Sequence, residues 1–326
     1  MKKNIAIIMG GYSSEVNISL KSGNVVYKNL DTQKYQAYRV HILPEKWVAL
    51  DNNNNEYSIN KDDFSFKLEG KTILFDCVFN AIHGTPGEDG KILAYLELLG
   101  IKHTSAPFYQ MALTFNKRDC LSVVKNYGIK TATSYFLNEG DTINTSEIIK
   151  KVSLPCFVKP NNAGSSFGIS KVKTENELIP AIEKAFKEDS EILIEAFLDG
   201  REVTIGVINF EGNTKVLPIT EIITDNAFFD YEAKYEGKSE EITPANLSNE
   251  LQTKLEKVAV KAYKALNMSG FSRTEYIIVN GEPHFLEMNT VPGLTTESII
   301  PQQAGKAGIS LANLFENAIE TALKTN

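Results

Sequence analysis

Apolar residues run unbroken from Ile5 to Met9 and stop at Gly10-Gly11, the pattern of a strand buried on both faces. Residues 19–30 have helical potential, and residues 38–43 can form a second strand. Residues 77–82 form another buried-strand pattern that ends at His83-Gly84. Ile92, Leu93, Leu96 and Leu99 then recur at helical spacing, and Gly100 supplies the stop. The Asn-rich run 51–55 and the weakly periodic stretch to Gly70 are expected to be a surface excursion without chemistry. This alternation predicts a small open α/β, Rossmann-like domain over residues 1–105.

A second unit is expected over residues 106–198. Cys120, Leu121 and Val124 mark a helix face, with Gly128 as its C-cap. Strands at 156–159 and 169–172 flank a polar loop, residues 161–168. Thr174-x-x-Glu177 fits a capping box opening a helix to about Lys187, although Pro180 lies inside it. A strand at 191–197 leads to a hinge at Leu198-Asp199-Gly200. The third unit, 199–326, has strands at 202–210 and 216–223, then a polar-aromatic stretch, 225–244. Ser248 caps a helix with Leu251, Leu255, Val258, Ala262 and Leu266 on one face. Strands at 273–279 and 284–289 meet through Asn280-Gly281, a strong hairpin signal.

Composition narrows the function. Among 326 residues, 34 Lys plus Arg against 41 Asp plus Glu leave a formal charge of −7, with no dense basic run. Nucleic acid and anionic membrane are therefore poor partners, and any anionic ligand needs a few placed cations. The apolar stretch after Lys3 is too short for a signal peptide, and no run approaches the roughly 20 residues of a membrane span. Three widely spaced cysteines, Cys77, Cys120 and Cys156, suit buried reduced thiols better than disulfides or metal. A cytoplasmic protein is expected.

The hairpin holds the most chemistry. Residues two apart in a strand share a face, so Arg273 pairs with Glu275 and Glu287 with Asn289. If register brings those faces together, a guanidinium, two carboxylates and an amide converge, a hard-oxygen set suited to Mg²⁺. Interleaved Ile277, Leu286 and Met288 argue that the strands sit in a core, where buried charges need partners or a metal. Lys159 precedes the loop whose small residues would let backbone N–H groups approach phosphate. That loop is not a P-loop, and Gly10-Gly11 is not a dinucleotide fingerprint.

Taken in order, the motifs become specific. Gly10-Gly11-Tyr12-Ser13-Ser14-Glu15, His83-Gly84-x-x-Gly87-Glu88-Asp89-Gly90 and Lys159-Pro160 are followed by Gly164-Ser165-Ser166-x-Gly168. Tyr231-Glu232-Ala233-Lys234-Tyr235 and Glu287-x-Asn289-Thr290-x-Pro292-Gly293 complete the set, which spans about residues 4–310. The chain resembles the D-alanine–D-alanine ligases of the ATP-grasp group. The resemblance implies an N-terminal α/β domain followed by a two-subdomain ATP-grasp fold that clamps ATP. It puts Lys117 and Lys159 on the phosphates, the loop with Ser165 and Ser166 over them, and Lys234 at the γ-phosphate. Glu195 to Leu198 would meet adenine, Glu202 the ribose, and Glu275, Glu287 and Asn289 two Mg²⁺, with Mn²⁺ as a substitute. Glu15 would take the ammonium of the first D-alanine, with His83 beside its carboxylate. Arg273 and the Gly293 backbone would stabilise the oxyanion, and Ser298 would help hold the second carboxylate. Tyr235 would link through Ser165 to Glu15, and its phenol resembles the dipeptide-forming members rather than those joining D-alanine to D-lactate. A homodimer is the family expectation. Two positions depart from the family: Glu275 stands where Asp is usual, and Ile299 where Leu is.

Overall fold

The computed structural model describes residues 2–162, 164, 168–224 and 239–324. Three large sheets follow one another along the chain. The first opens with β1 (Lys3–Gly10), α1 (Val16–Asn29) and β2 (Tyr35–Ile42), and continues through β3 (Trp47–Leu50) and β4 (Glu56–Ser58); β5 (Phe66–Leu68) and β6 (Lys71–Ile73) then form a separate two-stranded hairpin. β7 (Cys77–Asn80), α2 (Lys91–Leu98) and β8 (Lys102–His103) complete the first sheet. Its order is β4-β3-β2-β1-β7-β8, parallel from β2 to β8 and antiparallel at β3 and β4. β1 lies in the middle, and its residues from Ile5 onward are buried, as the unbroken apolar run predicts.

α3 (Phe108–Phe115) and α4 (Lys117–Asn126) cross to the second sheet, which contains β9 (Ser134–Asn138), α5 (Thr145–Val152), β10 (Cys156–Pro160) and β11 (Ser170–Val172). α6 (Leu178–Phe186) and β12 (Glu191–Ala196) follow, and the antiparallel order is β11-β10-β12-β9. The third sheet has the order β16-β15-β13-β17-β18, with β14 paired on β13. Its strands are β13 (Arg201–Phe210), β14 (Asn213–Val216), β15 (Thr220–Thr224), β16 (Ser239–Ile242), β17 (Phe271–Val279) and β18 (Glu282–Asn289). α7 (Asn249–Ala265), α8 (Ile299–Lys306) and α9 (Leu311–Lys324) pack on it.

Several expectations are met by local chemistry. Asn280 and Gly281 both have positive φ, the signature of a tight two-residue hairpin turn. Ser248 caps α7 by accepting the Leu251 N–H at 3.3 Å. The Thr174/Glu177 capping box is present on a 3₁₀ turn, and Pro180 falls in the first turn of α6, where a missing N–H costs little.

Other expectations need correction. The strand expected over 216–223 is two strands, because Leu217-Pro218-Ile219 leaves β14 on one part of β13 and β15 on another. α3 lies outside the elements expected from the sequence. The expected surface excursion is exposed over most of its length, but Ile59 and residues 64–66 turn inward and are buried. Phe64 and Phe66 are buried against Tyr38, Phe75, Trp47 and Tyr95 in an aromatic cluster that seals the sheet's edge.

Candidate active site

All three sheets face one cleft of about 620 Å³. Its floor is the hairpin. β17 and β18 pair with Arg273 opposite Asn289 and Glu275 opposite Glu287, so the faces the period of two picks out do coincide. A register shift after Glu275 sets Tyr276 opposite Phe285 and leaves Leu286 as the extra residue. Tyr276 and Phe285 pack edge to face in the core, whereas Ile277 and Leu286 line the cleft. That corrects the reading of Ile277 and Leu286 as core residues.

Charges on this floor are paired. Arg273 donates to Glu275 Oε1 at 2.5 Å and to Thr204 Oγ1 at 3.2 Å from the neighbouring β13. Lys117, at the start of α4, lies 3.5 Å from Glu287. Lys159 on β10 donates to Glu195 on β12 at 2.8 Å. Burial works hardest to lower the Lys159 pKa, but Glu195, Glu287 and Glu275 outweigh it and hold the ammonium above its ordinary value. Around these charges, Phe157, Ile169, Leu193, Phe197 and Leu198 make an apolar wall beside Glu202. A cationic end and an apolar end in one cleft suit a nucleotide.

The donor set also fits a divalent cation. Among the described residues no three acidic, His or Cys side chains gather into a metal cage. Two facing carboxylates completed by an amide are what Mg²⁺ takes when phosphate oxygens supply the rest. Asn289 Nδ2 is buried without a hydrogen-bond partner, so that amide is not consumed by the protein through its nitrogen.

The first sheet supplies the opposite wall. Glu15, just before α1, sits in a loop pinned by Tyr12 N–H to Thr85 O at 2.8 Å and by Ser13 Oγ to His83 O at 3.1 Å. Gly164 approaches so closely that a Cβ there would lie 2.6 Å from Glu15 Oε2. A side chain at this position would therefore push the Glu15 carboxylate aside where the second sheet's loop meets the acid. Likewise a Cβ on Gly293 would lie 2.6 Å from Ser298 Oγ, which is 2.8 Å from Thr295 Oγ1. Burial lowers the His83 pKa, leaving a neutral ring at physiological pH.

Two family models match successive parts of the chain. Residues 4–106 match the D-ala D-ala ligase N-terminus and residues 123–320 the D-ala D-ala ligase C-terminus. The chain belongs to the D-alanine–D-alanine ligase family. A D-alanine–D-alanine ligase of Flavobacterium johnsoniae is 68% identical over 98% of this chain and 99% of its own. Another, of Christiangramia forsetii, is 60% identical over 99% of each. Among solved structures, a D-alanine–D-alanine ligase from Bacillus anthracis complexed with ATP has TM-score 0.80 and 30% identity, covering 99% and 98% of the two chains. The VanG D-Ala:D-Ser ligase from Enterococcus faecalis has TM-score 0.85 and 32% identity, covering 98% and 99%. These neighbours share the ATP-grasp fold with an added N-terminal domain, as expected for this D-alanine–D-alanine ligase family member.

Of the residues picked from sequence, Glu15, His83, Lys117, Lys159, Glu195 and Leu198 line the cleft. So do Glu202, Arg273, Glu275, Glu287, Asn289, Gly293 and Ser298. Ser165, Ser166, Lys234 and Tyr235 lie outside the described residues. Sequence reasoning gave no role to Glu88, whose carboxylate accepts N–H groups from Gly84, Thr290 and Val291 at 3.1, 3.2 and 3.4 Å. Burial first, then the charge of Glu15, pushes its pKa up to about 7. Glu88 lies within the motif that starts at His83-Gly84, but a partner 202 residues away leaves no local signal.

Proposed function

We infer that the chain joins two D-alanines into D-alanyl-D-alanine with consumption of ATP, a carbon–nitrogen ligation that feeds peptidoglycan synthesis. The observation that carries the site reading is the cross-strand register, which sets Arg273, Glu275, Glu287 and Asn289 on one face beneath Lys117 and Lys159.

In this reading the first carboxylate attacks the γ-phosphate, giving an acyl phosphate and ADP. The second D-alanine's amine, once neutral, attacks that carbonyl and phosphate leaves. Lys117, Lys159 and Lys234 neutralise and align the phosphates, because such transfers need positioning more than covalent help from the protein. Glu275, Glu287 and Asn289 hold two Mg²⁺, or Mn²⁺, which supply charge neutralisation at the phosphates. Glu195, Leu198 and Glu202 seat the nucleoside, and Ser166 belongs to the loop over the phosphates. Glu15 takes the first ammonium, with Ser165 and Tyr235 linked to it. His83 borders the first carboxylate and Ser298 the second. Arg273 and the Gly293 N–H stabilise the tetrahedral oxyanion, an effect typically worth about 100- to 1,000-fold in rate per donor.

The three sheets support division into residues 1–105, 106–198 and 199–326. Among the described residues no helix is long and apolar enough to cross a membrane. A cytoplasmic homodimer completes the proposal. The test is ADP release with D-alanine, L-alanine, D-alanine plus D-lactate and D-alanine plus D-serine in parallel. D-Alanine alone should give ADP and dipeptide, and L-alanine far less. Equal use of both enantiomers, or a strong preference for a mixed product, would reject the assignment.

A further inference from the structure

The turn after β18 that bears Gly293 is held by hydrogen bonds from the first sheet's side of the cleft. Leu294 N–H donates to Ser22 Oγ at 3.2 Å, and Ser22 Oγ lies 3.2 Å from His83 Nε2. His83 is also hydrogen-bonded to the Val291 backbone, while Glu88 takes the N–H groups of Thr290 and Val291. A hydroxyl has one proton to give. With Leu294 as donor, Ser22 is left to donate to His83 Nε2, and the ring's other nitrogen carries its proton toward Val291. Ser22 is fully buried in α1 and has no access to substrate.

The Gly293 N–H belongs to the Pro292–Gly293 peptide unit, and glycine has no Cβ to restrict the φ and ψ that join it to the next unit, so the turn keeps that N–H in place when the next unit is held as well. The peptide unit between Gly293 and Leu294 is the one Ser22 grips. We propose that Ser22 is a positioning residue for amide-bond formation, holding the Gly293 backbone toward the oxyanion through Leu294 and tying that turn to His83. This rests on the assignment of Gly293 given under the proposed function. Oxyanion donors act only within hydrogen-bond reach of the developing charge, and misplacement by about 1 Å can cost on the order of 100-fold. Phosphoryl transfer in the first half-reaction makes no use of that donor.

The two half-reactions can therefore be separated. Net dipeptide synthesis reports both, whereas scrambling of an ¹⁸O label from the β,γ-bridge of ATP, with D-alanine present, reports reversible acyl-phosphate formation. Ser22→Ala should slow dipeptide synthesis about 10- to 100-fold while isotope scrambling falls by less than about threefold, so the ratio of scrambling to turnover rises. Ser22→Thr, which keeps the hydroxyl, should restore the ratio. Ser22→Cys fills the space with a weak acceptor and should reproduce the Ala shift if the Ala variant fails to fold. Ser19 is the matched comparison, because its buried hydroxyl on the same helix bonds Gly10 N–H and Ala81 O instead of the turn. Ser19→Ala should lose stability with an unchanged ratio. Parallel loss of both activities in Ser22→Ala, no loss of either, or an equal rise of the ratio in Ser19→Ala would overturn the inference. No dipeptide from the unaltered chain would reject the functional reading itself, and this inference with it.

Discussion

Glu275 is held by Arg273 at 2.5 Å and faces Glu287 across the hairpin, so it stands between two possible duties. As a metal ligand its contribution is charge and reach. Glu275→Asp shortens the arm yet restores the family's usual residue, and substantial activity should survive. Glu275→Gln should raise the half-saturating Mg²⁺ concentration and slow turnover, since water can fill a lost coordination position but cannot replace the charge. A Mg²⁺ titration of ADP release that superimposes on wild type would remove Glu275 from the ligand set and leave it as the partner of Arg273. The thiols make a separate prediction. Burial pushes Cys77 and Cys120 up to about 12 and Cys156 up to about 11, so thiolate is scarce at neutral pH. A disulfide reagent should label none of the three in the native protein at pH 7.5 and all three in denaturant. Rapid labelling of the folded chain would contradict the packing around them. At this scale the sequence was legible where chemistry is local. Arg273, Glu275, Glu287 and Asn289 announce themselves by a period of two, whereas Ser22 and Glu88 act on residues 272 and 202 positions away.

Two glycines show how the same substitution reads differently in different elements. Gly281 has φ +76° with nothing within 4 Å of an added Cβ. Gly281→Ala should destabilise the fold by about 1 kcal/mol through left-handed strain alone, measured as a shift in the urea midpoint, with kcat unchanged. Gly293→Ala should do the reverse. Its Cβ would press on Ser298 Oγ at 2.6 Å, so activity falls while the unfolding midpoint moves little. A stable, fully active Gly293→Ala would argue against the turn's role. Elements built from period and turn chemistry were readable in advance: β1, the Asn280-Gly281 hairpin, the Ser248 cap. Those that depend on tertiary cover were not. Phe64 and Phe66 lie amid polar residues with no clear period, and only the aromatic ring of neighbours buries them. α3 gains its meaning from packing against α2, α4 and β18.

At the scale of the whole molecule, the first and third sheets are not independent. Ile5, Ile7, Met9 and Phe79 of the first share a core with Phe271, Leu294, Ile300 and Phe315 of the third. Ala6 and Ile8 join Val203, Tyr276 and Phe285 in a second shared core on the other face. Tyr35 also donates to Glu320 of α9 at 2.6 Å. The proposed homodimer would sediment at twice 36.2 kDa, and a monomer at assay concentrations would reject it while leaving the site reading intact.

The middle sheet is different, because its core of Leu137, Ile148, Val158, Ile182, Ile194 and their neighbours is drawn wholly from its own segment. Apart from a few side chains such as Leu193, it leans on the rest of the chain across the cleft instead of through shared packing. Heat should expose this arrangement. Without ligand, calorimetry is expected to record two overlapping endotherms, a smaller one for the middle piece and a larger one for the fused first and third sheets. A non-hydrolysable ATP analogue touching Lys159 on one side and Glu287 on the other would make melting of either piece cost the bound ligand. The two endotherms should then merge and move upward together as ligand concentration rises.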